Sequence, residues 1–206
     1  MIEYYFAKGT IALAGMIAME EGKVEFEARE IFFADQQQQS ADYLKVNPKG
    51  RVPALIYNGK LLTEMPAILQ FVSQIGGQSP LSLPGDAFEV AKINSLNSFI
   101  CSTLHVAHAH RMRGHRWVDD EAAKDAMRKK VPETVTAAFK HIEDEYLDGP
   151  WVMGETYTIC DPYLLTVAQW LEGDSADLSV LPKVVAHRDR MKERPAVQSA
   201  LAIENQ

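Results

Sequence analysis

The pattern of apolar and polar positions changes character about one third of the way along the chain. The stretch IEYYF predicts a strand, GTIALAGMIAMEEG predicts a helix that stops at Gly22, and VEFEAREIFF predicts a second strand. Two apolar runs joined by Asn58-Gly59 predict a hairpin, because this residue pair suits a two-residue turn. A helix follows, with Pro66 in its first turn, where proline is tolerated. The predicted order is β-α-β, a loop, and then β-β-α.

The remainder of the chain carries only helical patterns. The segment GGQSPLSLPGD is rich in Gly, Pro and Ser, which is typical of a connection between domains. After it, long stretches such as AFEVAKINSLNSFICSTLHVAHAHRMR have no strand-like alternation. We therefore predict an α/β domain over residues 1–77, a linker over 78–86 and an all-helical domain over 87–206.

Composition and charge narrow the functional classes. The chain has 206 residues and a net charge of −7, so a nucleic-acid partner is not expected. No apolar run reaches the length of a membrane span, and the N-terminus lacks the features of a signal peptide. The two cysteines, Cys101 and Cys160, form no CxxC pair, which argues against a dithiol redox site. We expect a cytoplasmic protein without a membrane partner.

A proline interrupts the strand-like run GRVPALIY. Because proline cannot donate a ladder hydrogen bond, the strand is predicted to begin at Ala54, directly after Pro53. The residues alone leave two alternatives open. Pro53 is either a trans proline at the start of a strand, or a cis proline that turns the Val52 backbone outward, where an extended peptide could pair with it.

Four motifs in order carry a resemblance that covers nearly the whole chain. They are NPKGRVPAL, LLTE-x-x-AIL, TICDPYLLTVAQW and RMKERPAVQSAL. With this element order, the chain resembles the cytosolic glutathione S-transferases, and among them most closely the bacterial beta class. The resemblance implies a thioredoxin-like domain that binds glutathione, followed by an all-α domain. It also implies a homodimer that acts in detoxification, with glutathione as co-substrate, no bound cofactor and an electrophile site in the cleft between the domains.

The resemblance assigns residues to the two ends of the γ-glutamyl group and to the cysteinyl unit of glutathione. Pro53 would be cis, and Val52 would pair with the cysteinyl backbone. Glu64 would take the ammonium, and Met65 the carboxylate. The family usually has serine at the latter position, so Met65 would use only its backbone N–H. The alternative for Glu64 is simple capping of the helix.

The same resemblance points to the residues near the sulfur. Thr10 stands where the beta class usually has cysteine, and its hydroxyl would stabilise the thiolate, which is the nucleophile. The alternatives are that Thr10 is only an N-cap, or that Tyr5 is the donor. His105 matches a histidine that the beta class directs toward the sulfur.

A stripe of histidines continues along the helix from His105. Residues Cys101, His105, His108 and Met112 share one helical face. We expect His108 and Met112 to line the electrophile pocket. The alternatives are ordinary packing between the domains and a metal site, and no metal is expected because histidine spacing alone is weak evidence for one.

The loop after the second predicted strand departs from the family pattern. Beta-class proteins usually have a lysine after the second strand that contacts the glycyl carboxylate, but FFADQQQQ has none, so Arg51 or Gln38 is expected to take its place.

The stretch TICD, which the family also carries, is a capping box with a structural role. In it, Thr158 would bond the Asp161 N–H, and Asp161 would bond the Thr158 N–H.

The leading functional hypothesis is a glutathione S-transferase that conjugates the glutathione thiolate to small hydrophobic electrophiles. Two alternatives keep the fold. One is a glutathione-dependent peroxidase or isomerase, and the other is a binding protein without catalytic activity, which the missing lysine and Met65 motivate.

Overall fold

The computed structural model describes residues 1–77, 81 and 83–206. Contacts between residues divide the chain into two units: residues 1–86 together with 192–206, and residues 87–191. Within the described ranges, no helix combines the length and the apolar character that a membrane span requires.

The first unit is built on a four-stranded mixed sheet with the strand order β2-β1-β3-β4. The strands are β1 (Ile2–Phe6), β2 (Phe26–Glu30), β3 (Ala54–Tyr57) and β4 (Lys60–Thr63). Strands β1 and β2 are parallel, whereas β3 is antiparallel to both β1 and β4. The helices are α1 (Ala12–Glu21), α2 (Ala41–Val46) and α3 (Met65–Ile75). The predicted βαβ-ββα order is confirmed.

Local chemistry explains two features of this sheet. Asn58 and Gly59 both have positive φ, 50° and 72°, which a tight hairpin turn between β3 and β4 requires. The second feature is the close contact between β1 and α1, where the Tyr4 hydroxyl donates a 2.8 Å hydrogen bond to the Ala12 carbonyl at the start of α1. A β-carbon at Gly15 would stand 2.2 Å from that hydroxyl oxygen, so only glycine lets α1 approach β1 this closely.

The last residues of the chain group with the first unit, not with the predicted 87–206 domain. Helix α9 (Pro195–Glu204) packs against α1. Arg194 forms an ion pair with Glu21 through two atoms, Nε–Oε1 at 2.5 Å and Nη2–Oε2 at 2.9 Å. Glu204 accepts a 3.1 Å hydrogen bond from the Gly9 N–H, and burial raises the pKa of Glu204. Of the predicted 78–86 linker, residues 78–80 and 82 lie outside the described residues.

The second unit is helical throughout its regular elements, as predicted. Its helices are α4 (Ala87–Phe99), α5 (His105–Met112), α6 (Glu121–Glu145), α7 (Cys160–Ala168) and α8 (Pro182–Lys192). A π-helical segment, Ile100–Leu104, joins α4 to α5. All nine residues of α7 are buried, so this helix forms the centre of the unit.

Asp161, which is fully buried, holds the start of α7 in place. Its Oδ2 accepts the Thr158 N–H at 2.7 Å, as the capping box predicted. The other half of the box is wrong: the Asp161 N–H bonds the Thr158 carbonyl, and the Thr158 hydroxyl accepts from the Cys160 N–H instead. The reason is that the tight first turn of α7 already brings the Thr158 carbonyl within reach of the Asp161 N–H. Oδ1 accepts the Val152 N–H and lies 2.9 Å from His187 Nε2.

Candidate functional site

Three neighbouring strands bring the candidate glutathione segments to one edge of the sheet. Ala54, the first residue of β3, pairs with Tyr5 near the end of β1 and with Thr63, the last residue of β4. The segments that follow β1 and β4, and the segment that precedes β3, therefore all start from the same edge. They carry Thr10, Val52–Pro53 and Glu64–Met65. The sheet register thus groups residues that are far apart in the sequence.

The Val52–Pro53 peptide bond is cis, which decides between the two alternatives that the residues left open. The Arg51 carbonyl just before it accepts two hydrogen bonds, from the Tyr43 hydroxyl at 2.7 Å and from Asn47 Nδ2 at 2.6 Å. Burial raises the pKa of Tyr43 to about 12, so Tyr43 is a neutral donor. Among the described residues, nothing hydrogen-bonds the Val52 N–H or C=O. This backbone is held in place and left open to an extended peptide.

Glu64 has an unusual backbone conformation directly before α3. Its φ is 72° and its ψ is 120°, which is uncommon for a residue with a side chain and is typical of functional sites. Its side chain makes no capping hydrogen bond, so capping does not account for this residue. The Met65 side chain is buried at 4% exposure, and its N–H has no partner in the described part of the chain. The N-terminus of α3 therefore offers a backbone donor to an anion.

Lys49 reaches this helix start from the turn before Arg51. Its Nζ bonds the Thr63 hydroxyl at 2.9 Å and forms an ion pair with the Glu64 carboxylate. Both charged side chains are at least half exposed. Sequence reasoning missed this lysine, although it belongs to the motif NPKGRVPAL from which Val52 and Pro53 were inferred.

The two candidates for the glycyl carboxylate lie beside each other. A β-carbon at Gly50 would stand 3.0 Å from the Gln38 carbonyl oxygen, so the glutamine loop rests against the residue that precedes Arg51. The Arg51 side chain is exposed and makes no hydrogen bond or ion pair with the described residues. Gln38 Oε1 is buried and has no hydrogen-bond partner within the same ranges. Arg51 is thus the better suited of the two to a carboxylate, because its guanidinium is charged and exposed whereas the buried Gln38 oxygen can only accept a hydrogen bond.

Thr10 is buried at the start of α1, and its hydroxyl is used locally. It donates a 2.7 Å hydrogen bond to the Ala7 carbonyl and accepts a longer one, 3.4 Å, from the Ala12 N–H. The hydroxyl therefore closes the turn between β1 and α1. Thr10 is not the N-cap itself, because that position is Ile11, which makes no side-chain capping hydrogen bond. A role at the sulfur requires its proton to turn away from Ala7.

The side chain of Tyr5, the alternative donor, lies on the face of β1 that is turned away from α1. Side chains alternate along a strand, so Tyr5 lies on the opposite face of β1 from Tyr4, which contacts α1. Its hydroxyl donates to Glu3 Oε2 at 3.3 Å, and burial together with the nearby Glu3 carboxylate raises the pKa of Tyr5. A role of Tyr5 at the sulfur requires its hydroxyl to leave the Glu3 carboxylate.

In the second unit, two histidines of the predicted stripe, His105 and His108, contact the Trp170 indole. The His108 ring stacks on Trp170 with centroids 4.1 Å apart, and the His105 ring lies 5.2 Å from the same indole. His108 Nδ1 also lies 2.7 Å from Asp174 Oδ2, a contact that the sequence did not reveal. Met112 ends α5 and is largely exposed. No three His, Cys, Asp or Glu side chains converge on a metal-binding geometry in the part of the chain that is described.

Comparison with known proteins agrees with both units. Residues 2–74 match the family described as glutathione S-transferase, N-terminal domain, and residues 108–203 match glutathione S-transferase, C-terminal domain. A crystal structure of a glutathione transferase homolog from Sulfitobacter, with bound glutathione, is 39% identical with a TM-score of 0.95, covering 98% of each chain. Glutathione S-transferase GstA of Escherichia coli O157:H7 is 29% identical, again over 98% of each chain.

The predicted likeness to the bacterial beta class is confirmed as well. A beta-class glutathione S-transferase from Sphingomonas chungbukensis is 26% identical, has a TM-score of 0.83 and aligns over 98% of both chains. The family matches, the sheet order and the cis Val52–Pro53 bond agree with one another. This chain belongs to the glutathione S-transferase family.

Proposed function

We propose that this chain is a glutathione transferase that conjugates the glutathione thiolate to a small hydrophobic electrophile. The observation that supports this most strongly is the open Val52 backbone at the same sheet edge as Glu64 and the unpaired Met65 N–H. The bound glutathione of the Sulfitobacter homolog supports it further.

Each part of glutathione has a chemically matched group at this edge. The cysteinyl backbone pairs with the N–H and C=O of Val52 as an added strand. Glu64 takes the γ-glutamyl ammonium, and the Met65 N–H at the α3 terminus takes the carboxylate. The exposed guanidinium of Arg51 binds the glycyl carboxylate, for which a planar cation with several donors is suited.

The sulfur lies near Thr10 in this proposal. Turning the Thr10 hydroxyl from the Ala7 carbonyl to the thiolate exchanges a neutral hydrogen bond for a charge-assisted one, which is stronger. The positive end of the α1 dipole adds to the stabilisation of the anion. His105 is the second group that we assign to the thiolate, from the matching beta-class position.

The second substrate is assigned to the face of α5 that carries His108 and Met112, beside the Trp170 indole. This surface combines aromatic area with a polar ring nitrogen, which suits a small electrophile with one polar atom. We further propose that the chain acts as a homodimer and in the cytoplasm, consistent with two cysteines that are both free.

A turnover assay tests the proposed reaction. The purified protein is offered glutathione with a panel of aryl halides, epoxides and enones, and the products are identified by mass spectrometry. Thioether conjugates are expected. Isomerised or reduced products without a thioether would instead identify an isomerase or peroxidase, and turnover of none of the panel would contradict the proposed reaction.

Replacing Lys49 with glutamine is expected to weaken glutathione binding about tenfold, because one charged contact contributes roughly 1.5 kcal/mol. The reason is that the ligand ammonium takes over Glu64 and releases Lys49, whose Nζ then reaches the adjacent γ-glutamyl carboxylate. Calorimetric titration measures this, with Lys45→Gln, an exposed lysine paired with Asp42, as the matched control. Tighter binding by the Lys49→Gln variant would mean that Lys49 only competes for Glu64.

A further inference from the structure

One carboxylate in the second unit is buried between two cationic or titratable partners. Asp174 Oδ2 lies 2.7 Å from His108 Nδ1, and Oδ1 lies 3.5 Å from Arg111 Nη1. The Asp174 side chain is 1% exposed, and its backbone N–H donates to the Trp170 carbonyl at 2.8 Å. A β-carbon at Gly173 would stand 2.5 Å from Arg111 Nη1, so the glycine makes room for the guanidinium.

This arrangement fixes the orientation and the tautomer of His108. Because a carboxylate only accepts, Nδ1 carries the proton shared with Asp174, and in the imidazolium form the second proton is on Nε2, which is the nitrogen left to donate. Stacking on Trp170, with 20° between the ring planes, holds the imidazole from the side. Nε2 has no hydrogen-bond partner among the described residues, and 14% of the side chain is exposed.

A second histidine–aspartate pair in the same unit shows what a purely structural one looks like. His187 and Asp161 are 1% and 0% exposed, and His187 uses Nε2 for the contact while its Nδ1 is enclosed. Both carboxylates are buried, but the His108 ring retains access to solvent, which the His187 ring does not. Imidazoles that a carboxylate orients in this way, with the far nitrogen accessible, are suited to proton transfer.

We propose that His108 is a proton donor to the second substrate and that Asp174 is its positioning residue. The substrate class that needs such a donor is the electrophile whose oxygen becomes negatively charged on thiolate attack, namely epoxides and α,β-unsaturated carbonyl compounds. The inference rests on the proposed function. It requires the electrophile to bind against the face of α5 that carries His105 and His108.

The step balances without a further reactant. The glutathione sulfur forms a bond to carbon. In an epoxide the electron pair of the C–O bond moves to oxygen. In an enone the C=C pair forms a new double bond to the carbonyl carbon and the C=O π pair moves to oxygen, which gives an enol after protonation and then the ketone. The His108 imidazolium gives its Nε2 proton to that oxygen and regains one from solvent. With an aryl halide the same S–C bond forms and halide leaves as an anion, so no proton is transferred to the substrate.

This difference between substrates provides the test. Steady-state rates are measured with an enone, an epoxide and an aryl halide for three variants of the full-length chain. His108→Asn keeps a donor to Asp174 where Nδ1 was but has no nitrogen in place of Nε2. Asp174→Asn keeps the shape and removes the carboxylate, and His115→Asn replaces an exposed histidine as control. Thermal unfolding checks that each variant is folded, and ¹⁵N NMR of the imidazole reports the His108 tautomer.

We expect His108→Asn to lower kcat/KM for the enone and the epoxide by about 100-fold and to leave the aryl halide rate unchanged. Asp174→Asn removes the carboxylate that stabilises the imidazolium, so it should lower the same two rates and the imidazolium signal in the ¹⁵N NMR spectrum, while His115→Asn changes none. Equal losses for all three substrates, or no loss, would overturn the inference. Turnover of the aryl halide alone by the unmodified protein would overturn this inference only, whereas turnover of no substrate would contradict the proposed function itself.

Discussion

Replacing Glu64 with glutamine is expected to weaken glutathione binding by about 10- to 100-fold. A hydrogen bond to a charged group contributes roughly 1.5–3 kcal/mol, and glutamine removes the charge that the ligand ammonium needs. The Glu64 backbone, with φ at 72°, is held by the hairpin and by α3, so the substitution changes the chemistry and not the position. Its ion pair with Lys49 is exposed, and exposed pairs contribute little to stability, so the free energy of unfolding should hardly change.

Isothermal titration calorimetry with glutathione measures this effect directly. The matched control is Glu27→Gln, which neutralises an exposed glutamate on β2 and should bind glutathione as the unmodified chain does. Equal affinities for the Glu64→Gln variant and the control would remove Glu64 from the site. In that case its strained backbone would need another explanation.

Replacing Asp161 with alanine is expected to lower the free energy of unfolding by about 3–5 kcal/mol. The substitution leaves the buried N–H groups of Val152 and Thr158 without their acceptor and takes the buried partner from His187. Buried donors that lose their partner cost the full desolvation energy, so several losses accumulate at the start of α7. Since α7 is buried along its whole length, the groups at its start that lose a partner have no nearby solvent to replace it.

Urea-induced unfolding, followed by circular dichroism, gives the free energy. Asp120→Ala is the control, because Asp120 also accepts a backbone N–H at a helix start, that of Ala123 in α6, but at the surface. That control should lose about 1 kcal/mol. A loss for Asp161→Ala no larger than that of Asp120→Ala would show that the buried network contributes no more than an ordinary helix cap.

The elements of the first unit were predictable because their causes are local. The Asn58-Gly59 turn, the alternation in the strands and Pro66 at the start of α3 each act within a few residues. The position of α9 was not predictable in this way. The Arg194–Glu21 pair that helps to place it joins residues 173 apart, and no local pattern encodes such a contact.

In the candidate site, too, residues within local motifs were predictable, whereas contacts between distant residues were not. Val52 and Glu64 were inferred from motifs in which neighbouring residues define the function. The Lys49–Glu64 contact depends on how two loops meet at the sheet edge, and the His108–Asp174 contact joins residues 66 apart. Thr10 lies between these cases, since its place at the start of α1 was predictable while the direction of its hydroxyl, toward Ala7, was not.

Calorimetric titration of the unmodified chain with glutathione, set against cysteinylglycine, tests whether Glu64 and Met65 recognise the γ-glutamyl group. Cysteinylglycine retains the backbone that would pair with Val52 and the carboxylate assigned to Arg51, but lacks the γ-glutamyl group assigned to Glu64 and Met65. We expect saturable binding of glutathione and binding of cysteinylglycine at least about 100-fold weaker, since two charged contacts are lost. No saturable heat with glutathione, or equal affinity for the two peptides, would contradict this expectation.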